Sequence, residues 1–213
     1  MTRTDGAATR ERILDTAQRL VLRQGFSATT VDAVIGEVGL TKGAFFHHFG
    51  SKADLGLALV RRYADRDIAD LHRYWDRADH LARDPLQRVL VFVALLAEDA
   101  DTFLDEAPGC LYGSYVYEQE LFGPEIRAVV AESVLAWRTT LADRLREVLV
   151  TRPARVAVEP DGLADMVLTA FEGAYVLSRA VDDPGILREQ LSHVRNYLEL
   201  LFVPEPAAVS AGR

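Results

Sequence analysis

The stretch GFSATTVDAVIGEVGLTKGAFFHHFGSKADL, residues 25–55, decides the fold. Within it, two short segments with apolar faces, 31–38 and 42–48, are joined by Gly39-Leu40-Thr41. Gly39 permits the positive φ angle that ends the first helix, and the Thr41 side chain can cap the start of the second. The pattern predicts a helix-turn-helix, in which one helix braces the next and the second enters the major groove of DNA. Because the same motif also occurs in proteins that bind no DNA, the pattern by itself leaves both functions open.

The rest of the chain has the periodicity of helices. Apolar residues recur at spacings of three and four almost throughout, and the Val/Ile/Thr alternation typical of strands is missing. The sequence therefore predicts an all-α protein of about nine helices, a three-helix N-terminal head followed by a larger helical body. The expected helices cover about 8–23, 31–38, 42–48, 52–77, 85–103, 110–121, 124–150, 163–181 and 184–202.

Charge is unevenly distributed along the 213 residues, which are enough for one sizeable domain or a small head on a larger body. With 49% apolar and 26% charged residues, the chain is expected to be globular. The formal net charge of −8 argues against a chain dedicated throughout to nucleic acid. Residues 1–62, however, carry nine basic and six acidic side chains, including both lysines of the chain, Lys42 and Lys52. This asymmetry predicts that only the head meets a polyanion.

Cysteine content and hydropathy exclude several classes of protein. Cys110 is the only cysteine, so neither an internal disulfide nor a Cys₄ or Cys₂His₂ zinc site can form within one chain. No stretch approaches ~18 uncharged apolar residues, and residues 1–12 are too polar for a signal peptide. We therefore expect a cytoplasmic protein that needs no cofactor, holds no metal and does not associate with membranes.

Residues 25–55 resemble the DNA-binding segment of the TetR family of transcriptional regulators. The features that carry the resemblance are Thr30 at the start of the second helix, the turn Gly39-Leu40-Thr41, Gly43, the string Phe46-His47-His48-Phe49, and Ser51-Lys52 at the start of the fourth helix. The match is tight over residues 8–55 and only architectural beyond them.

This resemblance implies a set of DNA contacts, made by Thr30, Thr41, Lys42, Ala44, Phe46, His47 and Lys52. Helical geometry points the same way, because Lys42, Ala44, Phe46 and His47 are the outward positions of the second helix, and Phe45 and Phe49 are expected to anchor it on Val34 and Leu20. Lys52 and Thr30 are expected on phosphates, with Lys42, Ala44 and His47 nearest the bases. The family's usual tyrosine is Phe46 here, and its ring can pack on a sugar but cannot donate a hydrogen bond to a phosphate.

Family members carry variable effector-binding bodies and dimerise through their last two helices. The resemblance thus implies a helix-turn-helix DNA-binding domain at 1–51, an effector-binding and dimerisation domain at 52–203 and a frayed tail at 204–213. Apolar stripes along 163–174 and 186–201 suit an antiparallel helix pair, either duplicated across a two-fold axis or packed only on its own body.

Aromatic residues are concentrated in the middle helices, as an apolar ligand pocket requires, although aromatics at helical spacing are also typical of an ordinary core. The candidate pocket residues are Trp75, Tyr115, Trp137 and Tyr175.

The sequence therefore predicts a homodimeric repressor, not an enzyme, that leaves a palindromic operator when a small-molecule effector binds.

One alternative centres on Cys110 in APGCLYGSY, residues 107–115, either as a regulator that senses electrophiles or oxidants or as an enzyme. A helix start lowers the pKa of a thiol, while the nearby Asp105 and Glu106 oppose this and simple apolar packing would leave the thiol inert. An enzyme would also need a base, and no histidine lies between His80 and His193. An architectural DNA-binding protein without an effector is the third hypothesis.

Histidines offer little sign of a metal site. Adjacent helical residues such as His47 and His48 point about 100° apart and do not easily share one ion. His72 and His80 could lie on one face with Asp76 between them, but a solvated face is the expected arrangement.

Overall fold

A computed structural model describes residues 3–106 and 109–202, and this part of the chain contains helices and connecting loops without any strand. Its ten α-helices are α1 Arg3–Gln24, α2 Val31–Val38, α3 Lys42–His48, α4 Lys52–Leu81, α5 Pro85–Glu98, α6 Ala100–Glu106, α7 Leu111–Tyr117, α8 Pro124–Thr151, α9 Pro160–Val181 and α10 Gly185–Phe202. A 3₁₀ turn, Gln119–Leu121, follows α7. The all-α fold with an N-terminal helix-turn-helix is confirmed.

Side-chain and backbone caps fix the bounds of α2 and α3 at the predicted residues. The Thr30 hydroxyl oxygen accepts a hydrogen bond from the Ala33 N–H at 3.1 Å, and Gly39 ends α2 in the left-handed region at φ 75°. The Thr41 hydroxyl oxygen accepts from the Ala44 N–H at 3.2 Å. These residue types at these spacings satisfy backbone groups that a helix end leaves free, which is why the sequence determines the motif locally.

The middle of the chain differs from the prediction. The expected helix at 85–103 is two helices, α5 and α6, because the chain turns at Asp99, whose N–H donates to the carbonyls of Leu95 and Ala97. The expected helix at 110–121 ends at Tyr117 and continues as the 3₁₀ turn. Elsewhere only the ends differ: α1 begins before Ala8, α4 extends to Leu81, and α9 begins at Pro160.

The described residues form two compact units. The first unit contains those of Met1–Leu71 and Asp101–Ala136, and the second contains those of His72–Ala100 and Trp137–Arg213. The functional boundary between residues 51 and 52 stays a prediction, and the predicted tail at 204–213 lies outside the described residues. No helix in the described part of the chain is long and apolar enough to cross a membrane.

The apolar core of the first unit contains residues of both the helix-turn-helix and α7. Phe45 and Phe49, the expected anchors of α3, are buried in the same apolar cluster as Val34 and Leu20. Leu111 and Tyr115 of α7 belong to this cluster too. In the second unit, α10 packs against α5 and α9 and buries one apolar stripe, made of Leu187, Leu191, Val194, Leu198 and Leu201.

Candidate nucleic-acid interface

The residues expected at DNA form a continuous segment of the first unit, from the start of α2 to the start of α4. Thr30, Thr41, Lys42, Phe46 and His47 are exposed, whereas Ala44 and Lys52 are partly buried. An exposed ion pair joins the starts of the two motif helices, with Lys42 Nζ 2.9 Å from Asp32 Oδ1. Because an exposed pair of this kind contributes little to stability, Lys42 can exchange its partner for another anion at small cost.

The two capping threonines keep a donor free for other use. Each hydroxyl oxygen accepts a backbone N–H within its own helix, from Ala33 for Thr30 and from Ala44 for Thr41. A hydroxyl still has one O–H to donate after accepting such a bond. Both side chains are therefore held in place with an O–H group that can donate a hydrogen bond to a phosphate oxygen.

Phe46 and His47 are presented on the recognition helix without being buried. The Phe46 ring is 51% exposed and touches Phe45 edge-on, with ring centroids 5.3 Å apart. The ring of His47 lies 5.4 Å from that of His48. Burial, with smaller contributions from His47 and Arg10, lowers the pKa of His48, which favours its neutral imidazole.

Lys52 lies against the turn between α1 and α2. Its Nζ donates to the Ser27 carbonyl at 3.1 Å and sits 4.6 Å from the centroid of the Phe26 ring. Burial lowers the pKa of Lys52, and the negative charge of Glu118 partly opposes that shift. The ammonium is thus oriented by a carbonyl and an aromatic face.

Glu118, which sequence reasoning missed, holds the same turn. Its two carboxylate oxygens accept the N–H groups of Phe26 at 2.8 Å and Ser27 at 2.7 Å. Gly25 makes room for it, because a Cβ there would lie 2.6 Å from Glu118 Oε1. The contact joins residues 92 positions apart, and no local sequence pattern marks a contact at that separation.

The structure gives aromatic or hydrogen-bond neighbours for each of the four candidate pocket residues, whose role in a pocket stays a prediction. Trp75 stacks on Phe92 at 4.0 Å in the second unit, and Trp137 lies 6.2 Å from the same ring. Tyr175 lies 5.9 Å from Phe171. Tyr115 belongs to the first unit, where its hydroxyl donates to the Gly56 carbonyl at 2.9 Å.

Two open surface cavities lie elsewhere. One of about 410 Å³ is lined by residues of the loop between α8 and α9, including Pro153 and Glu159. The other, of about 270 Å³, lies in the first unit beside Arg10, Arg61 and Arg62. Neither is lined by a candidate pocket aromatic.

Cys110 is partly buried at the start of α7, and its side chain makes no capping hydrogen bond. A thiol-based function for it stays a prediction. Within the described residues, no group of three or more His, Cys, Asp or Glu side chains is arranged to hold a metal ion.

Comparisons with known proteins agree with this geometry. Residues 13–59 match the model for bacterial regulatory proteins of the tetR family. Residues 85–193, about half of the chain, match the C-terminal domain of LmrA/YxaF-like transcriptional regulators. The chain belongs to the TetR family. It is therefore a DNA-binding transcriptional regulator.

Relatives of this TetR regulator resemble it over most of their length. The transcriptional regulator AcuR of Cereibacter sphaeroides is 27% identical over 175 residues, which cover 82% of this chain and 78% of AcuR. The transcriptional repressor DhaR of a Mycobacterium species is 23% identical over 166 residues, covering 78% of this chain and 79% of DhaR.

A crystal structure of a TetR-family regulator from Agrobacterium tumefaciens superposes with a TM-score of 0.76 at 20% identity. The match covers 93% of this chain and 100% of that one, and it shows that the two share a fold.

Proposed function

We propose that this regulator is a cytoplasmic homodimeric repressor that binds a palindromic operator and releases it when a small molecule binds to the helices beyond residue 51. The observation that carries the proposal is the capped α2-turn-α3 unit, which presents Lys42, Phe46 and His47 on an exposed face. DhaR is one of the relatives that are named repressors, which supports repression over activation.

The proposed contacts divide by chemistry. Lys52 and the donor hydroxyls of Thr30 and Thr41 bind phosphates, which fixes the position of the head without reading sequence. Lys42, Ala44 and His47 lie nearest the base edges, where a lysine can donate to guanine acceptors. The Phe46 ring packs on a sugar.

Exposed apolar side chains on α9 and α10 support dimerisation. While one stripe of each helix is buried in the second unit, their outer faces expose Val176, Leu177, Val181, Tyr197 and Leu200. Gly173 has open space where a Cβ would stand, so another helix can approach closely there. Pairing these helices across a two-fold axis makes a four-helix bundle and presents two recognition helices to successive turns of DNA.

The cluster of Trp75, Phe92 and Trp137 is the part of the second unit that we assign to the effector. Trp75 is only 3% exposed, yet its indole N–H has no hydrogen-bond partner. A buried donor without a partner costs roughly 1–3 kcal/mol, which an effector with an acceptor atom would recover. For release, the effector must prefer the conformation that binds DNA poorly, because equal affinity for both shifts nothing.

Selection from genomic DNA tests the core of the proposal. Sheared genomic DNA of the source organism is incubated with the purified protein, recovered and sequenced at two salt concentrations, because DNA affinity depends steeply on salt. We expect a few enriched fragments that share an inverted repeat and persist at the higher concentration. Uniform recovery, or recovery abolished by salt, would contradict a sequence-specific repressor.

The two lysines separate base contact from phosphate contact. Lys42→Ala should weaken binding to a selected fragment and relax its sequence preference, whereas Lys52→Ala should weaken all DNA about equally and flatten the salt dependence. Arg83→Ala, an exposed charge outside residues 30–52, is the matched control. Unchanged affinity in both lysine variants would refute the assignment.

Sedimentation tests the dimer. Leu177→Glu places a charge on the exposed face of α9 and should shift the protein to monomers, while Val150→Glu, at an aliphatic residue of α8 that is even more exposed, should not. A dimer that survives Leu177→Glu would contradict this interface.

Tryptophan fluorescence tests the effector site, because Trp75 and Trp137 are the only tryptophans in the chain. Substrates of enzymes encoded beside the selected fragments are the compounds to titrate. We expect one to change the fluorescence and to release the fragment, with both effects lost in Trp75→Phe. A compound that releases the fragment from Trp75→Phe as from wild type would contradict the assigned site, and a complete lack of response would favour an architectural DNA-binding protein.

A further inference from the structure

Glu118 joins α7 to the helix-turn-helix through a pair of charge-assisted hydrogen bonds. One carboxylate oxygen accepts the Phe26 N–H at 2.8 Å and the other accepts the Ser27 N–H at 2.7 Å. We propose that Glu118 is a positioning residue for DNA binding, and that its carboxylate orients the α1–α2 turn and thereby the Lys52 ammonium and Thr30. This inference rests on the proposed contacts of Lys52 and Thr30 with phosphate.

The turn is shaped to receive this carboxylate. Two consecutive backbone N–H groups point at one anionic group, an arrangement in which each bond is about twice as strong as one between neutral groups. Gly25 has φ +84° and leaves no room for a side chain, since a Cβ would lie 2.6 Å from Glu118 Oε1. The Thr29 hydroxyl closes the turn from the other side by donating to the Gly25 carbonyl at 2.8 Å.

Ser27 links Glu118 to Lys52 through its two backbone groups. Its N–H is held by Glu118, and its carbonyl accepts the Lys52 Nζ hydrogen bond at 3.1 Å. The backbone N–H of Phe26 also donates to Glu118, and the Phe26 ring lies under the same ammonium, with its centroid 4.6 Å from Lys52 Nζ. Lys52 is thus oriented by two groups that both bond to the carboxylate, and Thr30, the N-cap of α2, lies only three residues after Ser27.

Glu118 is itself held at the end of a segment that is fixed on α4. The Tyr115 hydroxyl donates to the Gly56 carbonyl at 2.9 Å, and the Tyr112 hydroxyl donates to Asp67 Oδ2 at 3.1 Å. Residue 118 also lies within the match to the C-terminal domain of the family, residues 85–193. A displacement of α7 along α4 would therefore pull the carboxylate away from the turn and disorganise the phosphate contacts.

The sign of the effect distinguishes positioning from simple electrostatics. Glu118 adds a negative charge close to Lys52, so its removal should strengthen binding to a polyanion if charge alone matters. If the carboxylate orients the turn, its removal should weaken binding instead. Glu120 is the matched control, because it is an exposed carboxylate two residues away in the 3₁₀ turn.

The decisive experiment measures the affinity of Glu118→Ala and Glu120→Ala for a DNA fragment that the wild type selects from genomic DNA, over a range of salt concentrations. We expect Glu118→Ala to bind about tenfold more weakly, with a log–log salt slope shallower by about one per head because the Lys52 contact is lost. Glu120→Ala should stay within about twofold of the wild type. Equal or tighter binding by Glu118→Ala with an unchanged slope would overturn the proposal.

Hydrogen exchange of the backbone amides tests the contact without DNA. In Glu118→Ala, the amides of Phe26 and Ser27 should exchange faster than in wild type, and in Glu120→Ala they should not. Unchanged exchange in Glu118→Ala would overturn the proposal even if no operator is found. Failure of the wild type to select DNA would instead refute the proposed function, while the exchange measurement would still report whether Glu118 holds the turn. Glu118→Gln keeps one acceptor in the same shape, so it replaces Glu118→Ala if that variant does not fold and should show the same effects at smaller size.

Discussion

Three aromatic rings pack together in the first unit, Phe26, Tyr115 and Phe122, and three pack together in the second, Trp75, Phe92 and Trp137. Tyr115 stacks on Phe122 at 4.4 Å, much as Trp75 stacks on Phe92 at 4.0 Å. Their polar atoms differ, because the Tyr115 hydroxyl reaches the Gly56 carbonyl while the Trp75 N–H has no partner. The first cluster is complete in its hydrogen bonding and the second is not.

Buried polar groups without a hydrogen-bond partner support the proposed assignment of the effector to the second unit. Besides Trp75, the described residues of the second unit include Ser178, which is 3% exposed and whose hydroxyl has no hydrogen-bond partner. The first unit has one such atom among its described residues, Arg62 Nε, but the guanidinium of Arg62 bonds through its other nitrogens to Glu11, Asp15 and Gln18. The unpaired Trp75 N–H can gain a hydrogen bond from a ligand, whereas the Tyr115 hydroxyl already has its partner.

The largest effect on stability should come from removing a ring of the aromatic cluster in the first unit. Phe26→Ala removes a ring that contacts Tyr115, Phe122 and the Lys52 ammonium, and we expect it to lower the free energy of unfolding by about 3–5 kcal/mol. Denaturant unfolding measures this loss. Phe46→Ala is the control, because its ring is 51% exposed and its loss should leave stability nearly unchanged. Equal losses in both variants would show that the cluster is not the centre of the first unit.

Local signals made the helix-turn-helix predictable. Thr30, Gly39 and Thr41 act within four residues of themselves, so caps and turn could be placed from the sequence and α2 and α3 have the predicted bounds. The break at Asp99 was missed because residues 85–103 keep an apolar helical pattern across it.

Long-range partners could not be derived in the same way. Glu118 is one acidic residue among 32 acidic residues of the chain, and nothing near it indicates the amides of Phe26 and Ser27. Aromatic composition suggested a pocket, but it could not tell that Tyr115 is committed to Gly56 while Trp75 lacks a partner. Such differences arise from tertiary packing, which periodicity does not specify.

A smaller effect should follow from removing only the hydroxyl that completes the first cluster. Tyr115→Phe deletes the buried hydrogen bond to Gly56 and should lower the free energy of unfolding by roughly 1–2 kcal/mol. Tyr117→Phe, in the same helix but 87% exposed, should cost almost nothing. Thermal unfolding of the two variants compares them directly, and no loss in Tyr115→Phe would mean that the cluster does not depend on its hydrogen bond.

Removing a buried hydroxyl in the second unit should raise the free energy of unfolding instead of lowering it. Ser178→Ala removes a buried hydroxyl without a partner and should raise the free energy of unfolding by up to about 1 kcal/mol. Ser133→Ala is the control from the first unit, since the Ser133 hydroxyl donates to the Val129 carbonyl at 2.9 Å and its loss should bring no gain. If Ser178→Ala is as neutral or destabilising as Ser133→Ala, the contrast between the units fails.

The smallest effect concerns acid stability at the start of α5 in the second unit, where polar groups are paired. Asp84 accepts a hydrogen bond from Arg152 Nη2 at 3.0 Å and caps α5 through the Gln87 N–H at 3.1 Å, and these contacts lower its pKa below the ordinary value of 3.8. Because the carboxylate is favoured in the folded state, its contribution is complete above about pH 4 and is lost as the pH falls through the lowered pKa. Asp84→Asn keeps a capping acceptor without the charge, so we expect it to be less stable than wild type at pH 6, with a difference that shrinks as the pH falls below the ordinary pKa of 3.8 and vanishes once the pH is below the lowered pKa. Asp76→Asn, at an exposed position of α4, is measured in parallel by denaturant unfolding. A difference between wild type and Asp84→Asn that is independent of pH would show that the charge of Asp84 does not support the second unit.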